Sequence, residues 1–286
     1  MLNLRFSLLL LLTLSVSHVF ADDKITAYED LEFAKVQTNV GEKTLKLDLY
    51  RPKNDEALPG IVLVHGGGWS GGTKESFRPL ARELATDDYV VITIEYRLSG
   101  EAMFPSAVED CKAAIRWLRA HAAEYKVDPK RIGAVGGSAG GHLTGMVATT
   151  VGKYDVGNHL DQSSELQAAV LLGAGVDQVK RSEESAKPIQ NCVVFFGGTL
   201  NEKREIYAEA SPITHVSAKT CPILFMDGEK DRPGMRYVDI RPKLDQFGID
   251  NEFIMIPGAK HGQWNKQPFR ELYRNEFHKF FDANLK

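Results

Sequence analysis

The sequence predicts an α/β fold in which a predominantly parallel, eight-stranded sheet carries helices on both faces. Short apolar runs rich in β-branched residues alternate with helix-like segments along most of the chain. Strands that are apolar throughout are typical of a parallel sheet covered on both sides. Because crossovers between parallel strands are right-handed, helices are expected on both faces, with reactive groups at the carboxyl ends of the strands.

The first residues have the pattern of a secretory signal peptide. Arg5 precedes an apolar run over residues 6–14, and Ala21 suits the small-residue rule for cleavage. The run is shorter than the roughly 20 residues that a membrane-spanning helix needs. We expect residues 1–21 to be a cleaved leader and residues 22–286 to form one domain of a secreted or periplasmic protein without stable membrane insertion. A retained membrane anchor is the alternative.

The strands and helices are predicted from apolar periodicity. Leucines at 45, 47 and 49 alternate with polar residues after a turn at 39–41, which predicts an antiparallel opening hairpin. Further strands are predicted at residues 60–64, 90–94, 131–135, 166–172, 222–226 and 252–256. Helices are predicted at residues 75–85, 107–124, 139–150 and 268–284.

The segment 173–220 does not follow this alternation. It is polar around residues 180–187 and then apolar at residues 192–196. We expect a small lid or excursion over the site, and for its charged half a solvated surface loop is the alternative.

Charge and cysteine content narrow the classes of partner. The chain has 35 Lys and Arg against 38 Asp and Glu, and the cations are scattered. Neither nucleic acid nor an anionic membrane has an evident docking face, so a small or neutral partner is expected. The three cysteines are too widely spaced for a metal cluster. Cys111 lies on an apolar helical stripe and is expected to be a buried thiol. The sequence does not determine whether Cys192 and Cys221 form a disulfide.

A serine enclosed by glycines follows the strand predicted at residues 131–135. Residues 136–141 are Gly-Gly-Ser-Ala-Gly-Gly. A serine on a sharp strand-to-helix turn has a strained backbone, and bulky neighbours would clash with the strand or the helix. Such a turn raises the hydroxyl above the sheet edge, so Ser138 is the candidate nucleophile. The G-x-S-x-G pattern alone is weak, because similar strings occur in ordinary turns.

A serine hydroxyl needs a base, a group that orients the base and donors for the developing oxyanion. His261 follows the last predicted strand and is the candidate base, so activity is expected to fall as it becomes protonated. The turn after the preceding strand offers Asp227, Glu229 and Asp231. Asp231 is the predicted orienting acid, and Glu229 is the fallback. Asp227 is not chosen because it continues the strand too directly.

The candidate oxyanion donors come from a second glycine-rich stretch. Residues 65–69 are His-Gly-Gly-Gly-Trp and directly follow an apolar strand. Gly67 and Gly68 are predicted to supply two backbone N–H donors, and Ala139 a third. A phosphate-binding loop is the rival interpretation, but no Lys-Ser/Thr pair follows the glycines. Trp69 is predicted either to line the substrate pocket or to pack.

Together these motifs resemble the α/β-hydrolases of the esterase and lipase group that carry the H-G-G-G oxyanion motif. The resemblance covers nearly all of the chain after the leader. It is greatest to the secreted feruloyl- and acetylxylan-esterase-like (BD-FAE-like) branch, on the strings Tyr-Arg-Leu-Ser-Gly-Glu at 96–101 and Gly-Ser-Ala-Gly-Gly-His at 137–142. The order Ser138, Asp231, His261 is that of the family's triad.

This resemblance implies a serine esterase without metal or cofactor that removes acetyl or feruloyl groups from polysaccharide or other bulky esters. One departure is Asp227-Gly228, where relatives often have His-Gly, and it leaves open which carboxylate serves. Few residues separate Ala21 from the first strands, so the large amino-terminal cap of hormone-sensitive-lipase relatives is not expected and the cleft should be open. The alternatives are a serine exopeptidase of the same fold and a non-catalytic carbohydrate-binding relative. The acyl group, the alcohol and the oligomeric state are not determined by the sequence.

Overall fold

The structure, a computed structural model, describes residues 24–286, so the predicted leader at residues 1–21 lies outside the described residues. The strands are β1 (Ile25–Thr38), β2 (Gly41–Pro52), β3 (Leu58–Val64), β4 (Val90–Ile94), β5 (Val127–Gly137), β6 (Ala168–Leu172), β7 (Ile223–Gly228) and β8 (Asn251–Ile256). The helices are α1 (Arg78–Ala85), α2 (Ser106–Ala120), α3 (Ala122–Tyr125), α4 (Ala139–Thr149), α5 (Gln178–Glu183), α6 (Gln190–Phe196), α7 (Leu200–Glu209), α8 (Pro212–His215), α9 (Ile240–Gln246) and α10 (Phe269–Leu285). Short 3₁₀ turns occupy Lys74–Phe77 and Gln263–Asn265.

The eight strands form one sheet in the order β1-β2-β4-β3-β5-β6-β7-β8. The opening hairpin β1–β2 is antiparallel, β2 is antiparallel to β4, and every pairing among β3 to β8 is parallel. The predicted sheet is therefore confirmed, including its antiparallel start. Since β3 to β8 run the same way, their carboxyl ends meet along one edge, where the candidate site lies.

Two apolar layers cover the sheet. Buried side chains of α2 and α4 pack on one face, and those of α1 and α10 pack on the other. The helices that were predicted at residues 75–85, 107–124, 139–150 and 268–284 correspond to these four, with α3 completing the second of them. None of the helices in residues 24–286 is long and apolar enough to cross a membrane.

The excursion between β6 and β7 consists of four short helices, α5 to α8. The apolar run at residues 192–196 belongs to α6, where Cys192, Phe195 and Phe196 are buried and Val194 is exposed. Helix α9 was not predicted, because only two of its seven residues are buried and its periodicity is weak. The three cysteines are buried free thiols, which confirms the expectation for Cys111 and excludes a Cys192–Cys221 disulfide.

A buried ion pair joins β2 to the first turn after the glycine-rich loop. Asp48 is fully buried and accepts hydrogen bonds from Lys74 Nζ, from Arg78 Nη2 at 3.3 Å and from the backbone N–H of Asp30 at 3.0 Å. Burial opposes the charge on Lys74, but the hydrogen bonds and charges of Asp48 and Asp30 outweigh it and raise the pKa of the ammonium. The pair therefore anchors the end of the loop that carries residues 65–72.

We predict that Asp48→Asn destabilises the fold because it removes the main charge partner of a buried ammonium. The expected loss in free energy of unfolding is about 3 kcal/mol, since Asp30 remains near Lys74. Guanidinium denaturation would measure it. Glu276→Gln removes an ion pair with the exposed Lys279 and should cost less than about 1 kcal/mol. Equal losses in the two variants would contradict the proposed anchoring.

Candidate active site

Ser138 occupies the turn between β5 and α4. Its backbone has φ of 55° and ψ of −113°, a conformation that costs a residue with a side chain on the order of 1–3 kcal/mol. Its N–H donates to Leu172 O on β6 at 2.7 Å. A Cβ at Gly136 would overlap Gly140 O, and a Cβ at Gly140 would overlap Val64 O. Both glycines are therefore required by the close approach of α4 to the sheet.

The structure brings together the three residues that the sequence singled out. Ser138 follows β5, Asp231 follows β7 and His261 follows β8, all at one edge of the sheet. His261 Nε2 lies 2.9 Å from Ser138 Oγ, and His261 Nδ1 lies 2.7 Å from Asp231 Oδ2. With Nδ1–H donating to the carboxylate, Nε2 is free to accept the serine proton.

Arg236 holds the second oxygen of Asp231. Its Nη2 donates to Asp231 Oδ1 at 2.7 Å, and its Nη1 donates to Asp231 O at 2.5 Å and Asp227 Oδ1 at 3.2 Å. Burial acts to raise the pKa of Asp231, but hydrogen bonds from His261 and Arg236 outweigh burial and lower it. Asp231 is therefore an ionised, doubly bound carboxylate near neutral pH. Nothing in the local sequence pattern indicated Arg236.

Asp227 braces the loop that carries Asp231 instead of facing the imidazole. It is fully buried in β7, and it accepts hydrogen bonds from Gly234 N–H at 2.9 Å and Tyr237 Oη at 3.1 Å. Tyr237 Oη in turn accepts from Ala174 N–H at 3.0 Å, which ties the loop to the end of β6. Burial raises the pKa of Asp227 in spite of the nearby Arg236. A continuous series of hydrogen bonds therefore links Ala174 to Asp231 through Tyr237, Asp227 and Arg236.

Glu229, the fallback acid, points elsewhere. Its Oε2 accepts the backbone N–H of Gly258 at 2.7 Å, in the segment between β8 and His261. It therefore supports the backbone that leads to the histidine, and Asp231 is the carboxylate that contacts the imidazole.

The glycine-rich loop at residues 65–72 turns sharply beside Ser138. Gly67 and Gly68 have φ of 123° and 62°, values that favour glycine, and a Cβ at Gly67 would overlap Gly71 O. Within residues 24–286, the N–H groups of Gly67 and Gly68 donate to no backbone or side-chain acceptor. Gly68 and Ala139 line the pocket with Ser138. Gly67 O accepts from Gly71 N–H at 3.1 Å and closes the turn.

Trp69 both lines the pocket and packs, so the two predicted roles coincide. Its ring is stacked on Phe195 with centroids 4.9 Å apart, and its Nε1–H donates to His142 Nδ1 at 3.2 Å. His142 Nε2 lies 2.6 Å from Ala210 O and donates to it. Burial lowers the pKa of His142 to about 4, so this histidine is a neutral support for the tryptophan.

The pocket above Ser138 has a volume of about 880 Å³. One wall is formed by α5 and its flanking residues, and the other by residues 231–239. The excursion predicted at residues 173–220 therefore contributes a wall of the site. No group of three or more His, Cys, Asp or Glu side chains in the described part of the chain could hold a metal ion.

The same chain architecture occurs in known esterases. A family model described as BD-FAE matches residues 47–233. The probable carboxylic ester hydrolase LipM of Mycobacterium tuberculosis is 33% identical over 65% of this chain and 44% of its own length. The ethyl acetate hydrolase of Pseudomonas putida is 31% identical over 76% of this chain and 71% of its own length. The chain thus spans less than half of LipM.

A solved structure agrees over nearly the whole chain. The truncated form of a carbohydrate esterase from gut microbiota superposes with a TM-score of 0.77 at 26% identity, over 93% of this chain and 99% of that one. With the strand order above, this likeness confirms the α/β-hydrolase fold expected from the motifs.

We predict that Gly67→Ala lowers kcat on 4-nitrophenyl acetate by about 10²-fold or more. The added Cβ overlaps Gly71 O and must displace the turn that carries the candidate oxyanion donors. Gly71→Ala is the matched control in the same loop, because a Cβ there meets only Gly67 O at 4.0 Å. Comparable rates for the two variants would show that the conformation of the loop does not matter.

We predict that Arg236→Gln moves the acid limb of the kcat/KM–pH profile to higher pH. Loss of the guanidinium leaves the negative charge of Asp231 unopposed, which favours the protonated imidazole of His261. Arg270→Gln, which removes an arginine paired with Glu83 away from the site, should leave the profile in place. An unmoved profile in a folded Arg236→Gln protein would contradict this electrostatic role.

Proposed function

The chain belongs to the BD-FAE family, and from this membership we propose that it is a carboxylic ester hydrolase acting through an acyl-enzyme on Ser138. The observation that carries the proposal is the continuous hydrogen-bonded series of Ser138, His261 and Asp231 at the base of an open pocket. The esterase relatives support the same reaction class. Because the chain spans less than half of LipM, the proposal rests on this site as well as on the family.

In the proposed mechanism Ser138 Oγ attacks the ester carbonyl carbon while His261 Nε2 takes the hydroxyl proton. Asp231 holds Nδ1–H and stabilises the imidazolium that forms. The backbone N–H groups of Gly67, Gly68 and Ala139 are the proposed donors to the oxyanion. His261 then gives its proton to the departing alcohol, and water enters by the same route to release the acid and restore Ser138.

The proposed substrates are acetyl or feruloyl esters of polysaccharides or other bulky alcohols. The BD-FAE family and the carbohydrate esterase of similar structure support a carbohydrate alcohol. The pocket of about 880 Å³ is wide enough for more than a short acyl chain. We also propose that residues 1–21 direct the protein to a secreted or periplasmic location, where polymeric substrates are accessible.

Replacement of the nucleophile tests the mechanism. Ser138→Ala should lower kcat on 4-nitrophenyl acetate by about 10⁶-fold and abolish labelling by a fluorophosphonate probe, followed by intact-protein mass spectrometry. Ser163→Ala removes an exposed serine that does not line the pocket and should retain rate and labelling. Residual activity near that of the parent would rule out Ser138 as the nucleophile.

A substrate panel tests the alcohol and acyl classes. We expect release of acetate from acetylated xylan or of ferulate from feruloylated xylan, and little cleavage of a dipeptide amide, because the BD-FAE family and the carbohydrate esterase of similar structure favour carbohydrate esters. Product release is measured by chromatography, with Ser138→Ala as the blank. Cleavage of the peptide in preference to both xylans would favour an exopeptidase.

A further inference from the structure

Arg181, in the last turn of α5, lines the same pocket as Ser138. Its guanidinium lies over Trp69, with Cζ 5.6 Å from the ring centroid, and Nη1 donates to Gln178 Oε1 at 3.2 Å. Gln178 is fully buried, and its Nε2 donates to Gly175 O at 2.9 Å. A buried amide and an aromatic ring therefore hold an exposed cation at one place in the pocket.

The other lysine and arginine side chains of the pocket already have carboxylate partners. Lys180 Nζ lies 2.5 Å from Asp239 Oδ2, and Arg232 Nη2 lies 4.0 Å from Glu184 Oε2. Arg236 is shared between two aspartates, as described above. Among the described residues, Arg181 is the one pocket cation with no carboxylate within 4.0 Å.

The nearest acidic residue on the same segment does not fill this role. Asp177 Oδ1 accepts the backbone N–H of Lys180 at 2.9 Å, so this carboxylate caps the amino terminus of α5. The guanidinium of Arg181 thus keeps unshared N–H donors beside the space above Ser138.

We propose that Arg181 forms an anion subsite and that the protein prefers esters bearing a carboxylate near the ester bond. This inference rests on the proposed function, because it assigns a substrate class to the Ser138 site. A guanidinium offers two parallel N–H donors that match a carboxylate, and its position over Trp69 together with the hydrogen bond to Gln178 limits its freedom before the ligand arrives. When a neutral ester binds, the Arg181 guanidinium keeps its hydrogen bonds to water. A carboxylated ester gains a charge-assisted hydrogen bond in the same pocket.

The carboxylate could lie on either side of the ester bond, and two matched pairs of substrates distinguish these sources. On the alcohol side, 4-acetoxybenzoate is compared with 4-acetoxybenzamide. On the acyl side, the ethyl monoester of adipic acid is compared with its terminal amide. The measured quantity is the ratio of kcat/KM for the charged ester to that for its neutral partner. Dividing this ratio for the parent by the same ratio for a variant cancels the intrinsic reactivity of each ester.

Arg181→Gln should lower the ratio at least about fivefold in one or both pairs, and Arg181→Lys should retain part of it, because charge remains while the planar fork is lost. In the parent, the ratio should also fall as sodium chloride screens the pocket, and this salt dependence should be weaker in Arg181→Gln. The pair that responds identifies the side of the ester that faces Arg181.

Arg204→Gln is the matched control. Arg204 lies on α7 in the same excursion, is paired with Glu183 at 2.6 Å and lies outside the pocket. The Arg204→Gln substitution removes the same formal charge as Arg181→Gln and should leave both ratios of kcat/KM unchanged. Equal ratios in parent and Arg181→Gln, with both proteins active on the neutral esters, would overturn the subsite alone. A parent inactive on all four esters would overturn the proposed function and the subsite with it.

Discussion

The left-handed backbone of Ser138 is the constraint on which the rest of the site depends. A residue with a side chain leaves this conformation unless its surroundings hold it there. Here β5 is hydrogen-bonded on both sides by β3 and β6, and α4 packs so closely on the sheet that Gly136 and Gly140 have no room for a Cβ. The hydroxyl projects from the sheet edge because strand, helix and turn cannot relax separately.

Asp227, near the end of β7, and Asp231, in the loop that follows, have pKa values shifted in opposite directions because their surroundings differ. Asp227 is fully buried and its pKa is raised, whereas hydrogen bonds from His261 and Arg236 lower the pKa of Asp231. Arg236 binds both, so one guanidinium fixes the loop and sets the charge opposite the imidazole. The charge that faces the imidazole of His261 is therefore set by Asp231 together with Arg236, which helps to keep the carboxylate ionised.

Most of the sheet and the Ser138, Asp231, His261 constellation could be predicted because both leave local signals. Most of the central strands appear in the sequence as short apolar runs, and each of the three candidate residues follows a predicted strand. Helices α5 to α9 are short and bury few residues, so tertiary contacts stabilise them more than periodicity does. Arg181 and Arg236 carry no motif at all. Their roles arise only where the chain brings them to Trp69 and Asp231.

Substitutions in the two walls of the pocket have different consequences. Residues 231–239 carry both Asp231 and Arg236, so a substitution there alters substrate contacts and the histidine's electrostatics together. The wall built on α5 contributes no member of the Ser138–His261–Asp231 series. Substitutions in α5 therefore alter substrate contacts without changing Ser138, His261 or Asp231. The excursion between β6 and β7 is the part of the cleft where substrate preference can evolve separately from the chemistry.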